Sequence, residues 1–193
     1  MKGGMIVNPY YLLAPVLLPV MTGAAVLGLR PKERRKREIL VIGGILAASA
    51  VIGALVVNGP KQPLVLYRFG GKMNISLGLD GLSGVFACLI AVLWPLTTLY
   101  SFEYMKHEGK ENKFFGYFSI TYGVVAGVAL SHSLITLYFF YELMTLATLP
   151  LVMHAMDTRA IYAGKKYLLL SMAGAAMVFV SIISLHEYGT TLD

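Results

Sequence analysis

Glu142 stands alone as the one charged residue in the run LYFFYELMTLATLP, residues 137 to 150. If a helix begins near Leu134, this carboxyl lies about 12 Å along an axis that rises about 1.5 Å per residue. That depth is close to the middle of a bilayer, where inserting an acidic side chain costs on the order of 3 kcal/mol. Glu is too short to reach the headgroups from there, so its side chain must face protein or a wetted path. Two roles are open to it. It is either a protonated or hydrogen-bonded packing group between helices, or a titrating group on an ion path. In the second role desolvation raises its proton affinity and a nearby cation lowers it.

The nearest candidate cations stand in AGKKYLLLSMAGAAMVFVSIISL. Lys165 is expected to extend back to the headgroups. Lys166, one step deeper and followed by Tyr167, is open to an inward-facing role or to the same snorkelling. His132, in a short turn, and His154, at the far end of the Glu142 helix, are interfacial groups or entry and exit groups on a proton path. Pro150 removes a backbone donor and either kinks the helix or lies near its end. Glu103 reads as interfacial. With no H-x-x-x-H, C-x-x-C or Gly-rich phosphate cradle, no metal site, cofactor or catalytic constellation is expected.

These side chains need elements to hold them, and the composition says which kind. Of the 193 residues, 57% are hydrophobic and 13% charged, against roughly a quarter charged in a soluble domain. The apolar residues gather into six runs of about 20, the length that crosses about 30 Å of hydrocarbon. They cover residues 8–29, 39–58, 82–104, 114–132, 134–154 and 161–185. The expected fold is all-α: a single polytopic membrane domain over 1–193 with six transmembrane helices. Between the second and third spans, LVLYRF and MNISLGL flank Gly70-Gly71 and predict a short β-hairpin. Asp80 and Ser83 flank the third helix start as caps. The first run exceeds a signal peptide's apolar core, and its basic cluster follows rather than precedes it, so a retained span is expected. Cys88, in an apolar run, is the single cysteine, which precludes a disulfide framework.

The net charge of +6 sits in short loops between apolar runs, which argues for topology and against a nucleic-acid partner. RPKERRKRE holds Arg30, Lys32, Arg34, Arg35, Lys36 and Arg37. Lys106, Lys110 and Lys113 follow the third span, and Arg159, Lys165 and Lys166 follow the fifth. The other side has Lys2, Lys61, Arg68 and Lys72. The positive-inside rule then puts the basic loops in the cytoplasm and both termini outside the cell membrane. RPKERRKRE is a solvated topology anchor, or else a docking site for acidic lipid or an acidic partner subunit. Ser171, Ala173, Gly174, Ala175 and Ala176 form a small-residue face suited to close helix packing.

LDGLSGVFACLIAVLWPLTTLYSFEYM, KFFGYFSITYGVVAGVALSHSLITLYFFYELM and AGKKYLLLSMAGAA follow one another in order. The informative pieces are Leu79-Asp80-Gly81-Leu82-Ser83, Tyr100-Ser101 with Tyr104-Met105, Phe114-Phe115, Glu142-Leu143-Met144 and Lys166-Tyr167. In this order and spacing, residues 70–185 resemble the N-terminal part of the antiporter-like membrane subunits. Those occur in respiratory complex I, in Mrp cation/proton antiporters and in membrane-bound hydrogenase and sulfur-reductase complexes. The resemblance implies proton or sodium translocation driven by a redox arm on other subunits. It maps the family's acidic residue onto Glu142 and its lysine partner onto Lys166. Tyr141 stands where the family often has Trp.

Typical members carry more than twice as many helices, in two inverted repeats built around broken helices. This sequence ends after LHEYGTTLD, so a complete channel within it is not expected. The resemblance implies either another chain that supplies the remaining helices or a truncated, separately encoded paralogue. The expected function is a non-catalytic membrane subunit of a redox-driven, ion-translocating complex. Its partners would be other membrane subunits and the lipid bilayer. The alternative is a scaffold subunit in which Glu142 is inert and the face near Gly174 holds neighbours.

Overall fold

The computed structural model describes residues 8–60, 62–69 and 73–188. Lys2, Lys61, Lys72 and the hairpin centre Gly70-Gly71 lie outside them. A 3-10 turn, Pro9–Leu13, leads into α1, Ala14–Leu29. There follow α2, Arg34–Asn58; strands β1, Leu64–Arg68, and β2, Asn74–Leu77; then α3, Gly81–Tyr104, and α4, Glu111–Ala129. The chain continues through α5, Leu134–Val152, and α6, Thr158–Tyr188. The β1–β2 pair is antiparallel, with a bulge between Val65 and Tyr67.

Three helix starts, those of α3, α5 and α6, follow capping chemistry. Asp80 Oδ1 accepts from the Ser83 N–H at 2.7 Å, so Asp80 is the cap and Ser83 its donor. The Ser133 hydroxyl accepts from Thr136 N–H at α5, and Asp157 accepts from Ala160 N–H at 2.6 Å at α6. Several boundaries differ from the hydropathy runs. α2 starts at Arg34 rather than 39, α4 runs from Glu111 to Ala129 rather than over 114–132, and α6 begins at Thr158 rather than 161. Hydropathy marks the stretch that suits hydrocarbon, whereas helical hydrogen bonding continues into the charged interface. Four of the six residues of the basic cluster, Arg34 to Arg37, therefore ride on the first turn of α2 instead of in a loop.

Among the described residues, six α-helices stand where six were expected. Five are long and apolar enough to cross a membrane: Pro9–Leu29 with its leading turn, Arg34–Asn58, Gly81–Tyr104, Leu134–Val152 and Thr158–Leu185. The remaining helix, α4, is the interior one, packed chiefly on α1 and α5 and also touching α2 and α3. It needs less apolar sequence because it faces protein. Its Ser119 and Thr121 hydroxyls bond back to the Phe115 and Tyr117 carbonyls. The α1–α4 approach depends on glycine: a Cβ at Gly23 would collide with the Gly116 carbonyl, and one at Gly123 with the Val16 carbonyl. Small residues let membrane helices meet backbone to backbone in this way.

Both ends of the bundle are tied. At the basic end, Arg37 pairs with Glu111, Arg34 donates to the Phe102 carbonyl at 3.0 Å, and Asn112 donates to Pro31 at 3.3 Å. At the other end the hairpin clasps the α4–α5 turn. Ser76 N–H donates to Thr136 Oγ1 at 2.8 Å, Ser133 Oγ donates to the Asn74 carbonyl at 2.6 Å, and His132 N–H donates to Ser76 at 3.0 Å.

Candidate functional site

Glu142 sits in the third turn of α5, a half-buried side chain whose Oε1 is sealed from solvent and has no hydrogen-bond partner. Among the described residues it forms no ion pair. A buried acceptor left unmatched costs about 1–3 kcal/mol. That cost falls if a donor or ligand outside this chain meets the oxygen.

Three contacts fix the antiparallel register of α5 and α6. Tyr138 stacks with Phe179 at 5.4 Å between ring centroids, and Thr148 Oγ1 lies 2.9 Å from the Tyr167 hydroxyl. Met153 fills the space where a Gly164 side chain would stand. The pairings place Glu142 opposite the small-residue cluster around Gly174. They place Lys166 opposite Pro150, eight residues away along α5, or about 12 Å. Glu142 and Lys166 are therefore not brought together. Lys166 is exposed, with Nζ 5.1 Å over the Tyr162 ring, and Lys165 is exposed as well. Of the small cluster, Ala175 is buried, whereas a methyl at Gly174 would meet nothing in this chain.

The two histidines occupy opposite ends of α5. His132 is exposed in the hairpin clasp, its ring against Gly78. His154 Nε2 lies 3.2 Å from the Gly109 carbonyl, and its ring stands edge-on to Phe114. Asp80, outside the spans, has its carboxyl held below the usual carboxylate range, first by the Ser83 N–H and then by the Ser83 hydroxyl. Pro150 lies in the last turn of α5, two residues before its end at Val152. Glu103 pairs with Lys106 at the exposed end of α3.

The hydroxyls below Glu142 carry no charge to mark them in the sequence. Thr145 and Thr148 follow it at one-turn steps in ELMTLAT, and Tyr167 completes the line from α6. Thr145 is buried, and Thr148 also bonds back to the Met144 carbonyl at 2.9 Å. The signal was the i, i+3, i+6 spacing of groups that can donate and accept. From His132 to His154 the candidates lie along one helix with Glu142 between them, and Lys165 and Lys166 flank its basic end.

Two family models match the chain. One, described as NADH-ubiquinone oxidoreductase (complex I), chain 5 N-terminus, covers residues 68–115. The other, NADH:quinone oxidoreductase/Mrp antiporter, TM, covers 131–193 and so includes Glu142, Lys165 and Lys166. Among curated proteins, Na(+)/H(+) antiporter subunit A1 of Staphylococcus haemolyticus is 33% identical over 122 residues, which is 63% of this chain and 15% of that protein. The Staphylococcus aureus subunit is 33% identical over 114 residues, 58% of this chain and 14% of that protein. The chain thus spans about a seventh of the curated relatives it matches.

The fold matches a chain of the membrane-bound sulfane sulfur reductase, an archaeal respiratory membrane complex. Its TM-score is 0.78 at 19% identity, over 96% of this chain and 39% of that one. A chain of respiratory complex I from Thermus thermophilus gives 0.74 at 21%, over 94% and 37%.

Proposed function

We propose that this chain, which belongs with the antiporter-like membrane subunits, contributes part of a proton or sodium path to a redox-driven membrane complex. It is a multi-pass membrane protein, and its relatives are subunits of multi-subunit membrane assemblies. One observation carries the proposal: a carboxyl in mid-span whose buried oxygen has no partner. A carboxyl fixed as packing would have its acceptors matched by neighbouring donors. One that exchanges an ion needs a vacant acceptor and a polar route to it, and Thr145, Thr148 and Tyr167 supply hydroxyls on the basic side.

In this mechanism Glu142 alternates between protonated and ion-bearing states. Lys166, two turns below, biases it through the field of the basic end rather than by direct pairing. Neighbouring membrane subunits cover the exposed outer face of α6 and carry the energy-releasing chemistry. The basic loops face the cytoplasm, with both termini on the opposite side. His132 and His154 mark the two ends of the route.

The test is Glu142→Gln in the reconstituted complex. Ion translocation should be abolished while assembly and uncoupled redox turnover persist. Unchanged translocation would defeat the proposal and leave Glu142 a packing residue.

A further inference from the structure

At the basic end a cleft of about 890 Å³ opens over the first turns of α4, between the ends of α1 and α5. Arg30, Arg37, Lys110 and Lys113 line it, against Glu111 as its one carboxylate among the described residues. Glu111 is already paired with Arg37. Arg30, Lys110 and Lys113 are exposed and form no ion pair among the described residues. Arg37 is itself 6% exposed, and its Nε is buried without a hydrogen-bond partner. The cleft also borders a helix start with no side-chain cap, because Lys110 at the cap position carries donors and no acceptor. Free N–H groups at a helix start favour an anion.

The rest of the lining is different. Leu27, Leu149, Pro150 and Met153, half-buried residues from the ends of α1 and α5, line the cleft beside its exposed cationic rim. A soluble phosphate would use only the rim. A ligand that meets both surfaces has an anionic head and an apolar tail, and the cleft lies where these helices leave the hydrocarbon. We propose that it is a binding site for one anionic glycerophospholipid. The phosphate is held by Arg30, Lys110 and Lys113, and an acyl chain lies against Leu149 and Met153. Basic pockets between helices at the cytoplasmic surface recognise phospholipid headgroups in this way. Of the RPKERRKRE cluster, Arg30 and Arg37 serve the site, while Lys36 pairs with Glu33 and Arg34 with Glu38.

The test is native mass spectrometry of the complex purified from mixed phosphatidylglycerol and phosphatidylcholine membranes. Phosphatidylglycerol should be retained selectively. Lys110→Gln with Lys113→Gln, at two exposed positions outside the Arg37–Glu111 pair, should weaken retention roughly tenfold or more. Lys32→Gln with Lys36→Gln, in the same basic cluster but outside the cleft, should leave retention unchanged. Equal retention of both lipids would overturn the site, as would equal loss with the control pair. Displacement by millimolar inorganic phosphate would point to a soluble anion and overturn the lipid assignment.

Discussion

Thr148 on α5 and Tyr167 on α6 share a hydrogen bond of 2.9 Å across the helix interface. This contact and the Tyr138–Phe179 stack set which part of α6 lies beside Glu142. Tyr167→Phe removes one hydroxyl and leaves Thr148 bonded to the Met144 carbonyl. The expected destabilisation is about 0.6 kcal/mol, read by denaturant titration in detergent micelles. A loss several times larger would mean that the bond belongs to a wider network.

Lys166 and Glu142 should behave differently on substitution. Because Lys166 lies about two turns away along the axis, Lys166→Gln should slow translocation without abolishing it. Measured in proteoliposomes beside Glu142→Gln, equal losses would show that the two groups meet directly during turnover.

The α1–α4 crossing has no room for a side chain at Gly23. Gly23→Val should cost at least the 1–3 kcal/mol typical of overpacking, since the obstacle is the Gly116 backbone rather than a movable side chain. Size-exclusion chromatography should show a loss of monodisperse protein. Gly53→Val, where a Cβ meets nothing in this chain, serves as the control.

Arg37 and Glu111 form an ion pair in which Arg37 is almost wholly buried. Arg37→Ala should destabilise by about 3–5 kcal/mol, because Glu111 is left uncompensated. Arg37→Met combined with Glu111→Leu should recover much of that loss. A double-mutant cycle on thermal unfolding decides it, and fully additive losses would contradict the coupling.

Asp80 gives the fold a dependence on acid. Its folded pKa lies below the ordinary value because Ser83 hydrogen-bonds the ionised form. The unfolded group titrates near about 3.9, so the cap contributes fully above that value. Its contribution is lost as pH falls through the lower folded value. Asp80→Asn should flatten this part of the stability profile below about pH 4, as followed by thermal unfolding across the acid range.

The sequence announced the number of helices, the hairpin, the Asp80 cap and the unusual position of Glu142. Each depends on local chemistry: run length, turn residues, a cap three residues before its donor, one charge in apolar sequence. What escaped depends on how helices meet. Hydropathy does not reveal that α4 lies at the centre, since Ser119 and Thr121 there look like concessions to water rather than signs of protein on every side. The offset between Glu142 and Lys166 follows from side-chain interlocking at Tyr138, Thr148 and Met153, which no single helix encodes. The Thr145–Thr148–Tyr167 line was hidden because hydroxyls in membrane helices commonly bond their own backbone, as Thr145 also does to the Tyr141 carbonyl.

The hairpin clasp makes α5 a lever. Its first turn is anchored through Ser133 and Thr136, whereas its far end, just after Pro150, meets its neighbours through Met153 against Gly164 and His154 against the Gly109 carbonyl and the Phe114 ring. A rod that pivots at one end travels furthest at the other. A tilt of α5 would therefore barely displace His132, shift Glu142 by an intermediate amount, and widen or narrow the cleft beside Leu149 most of all.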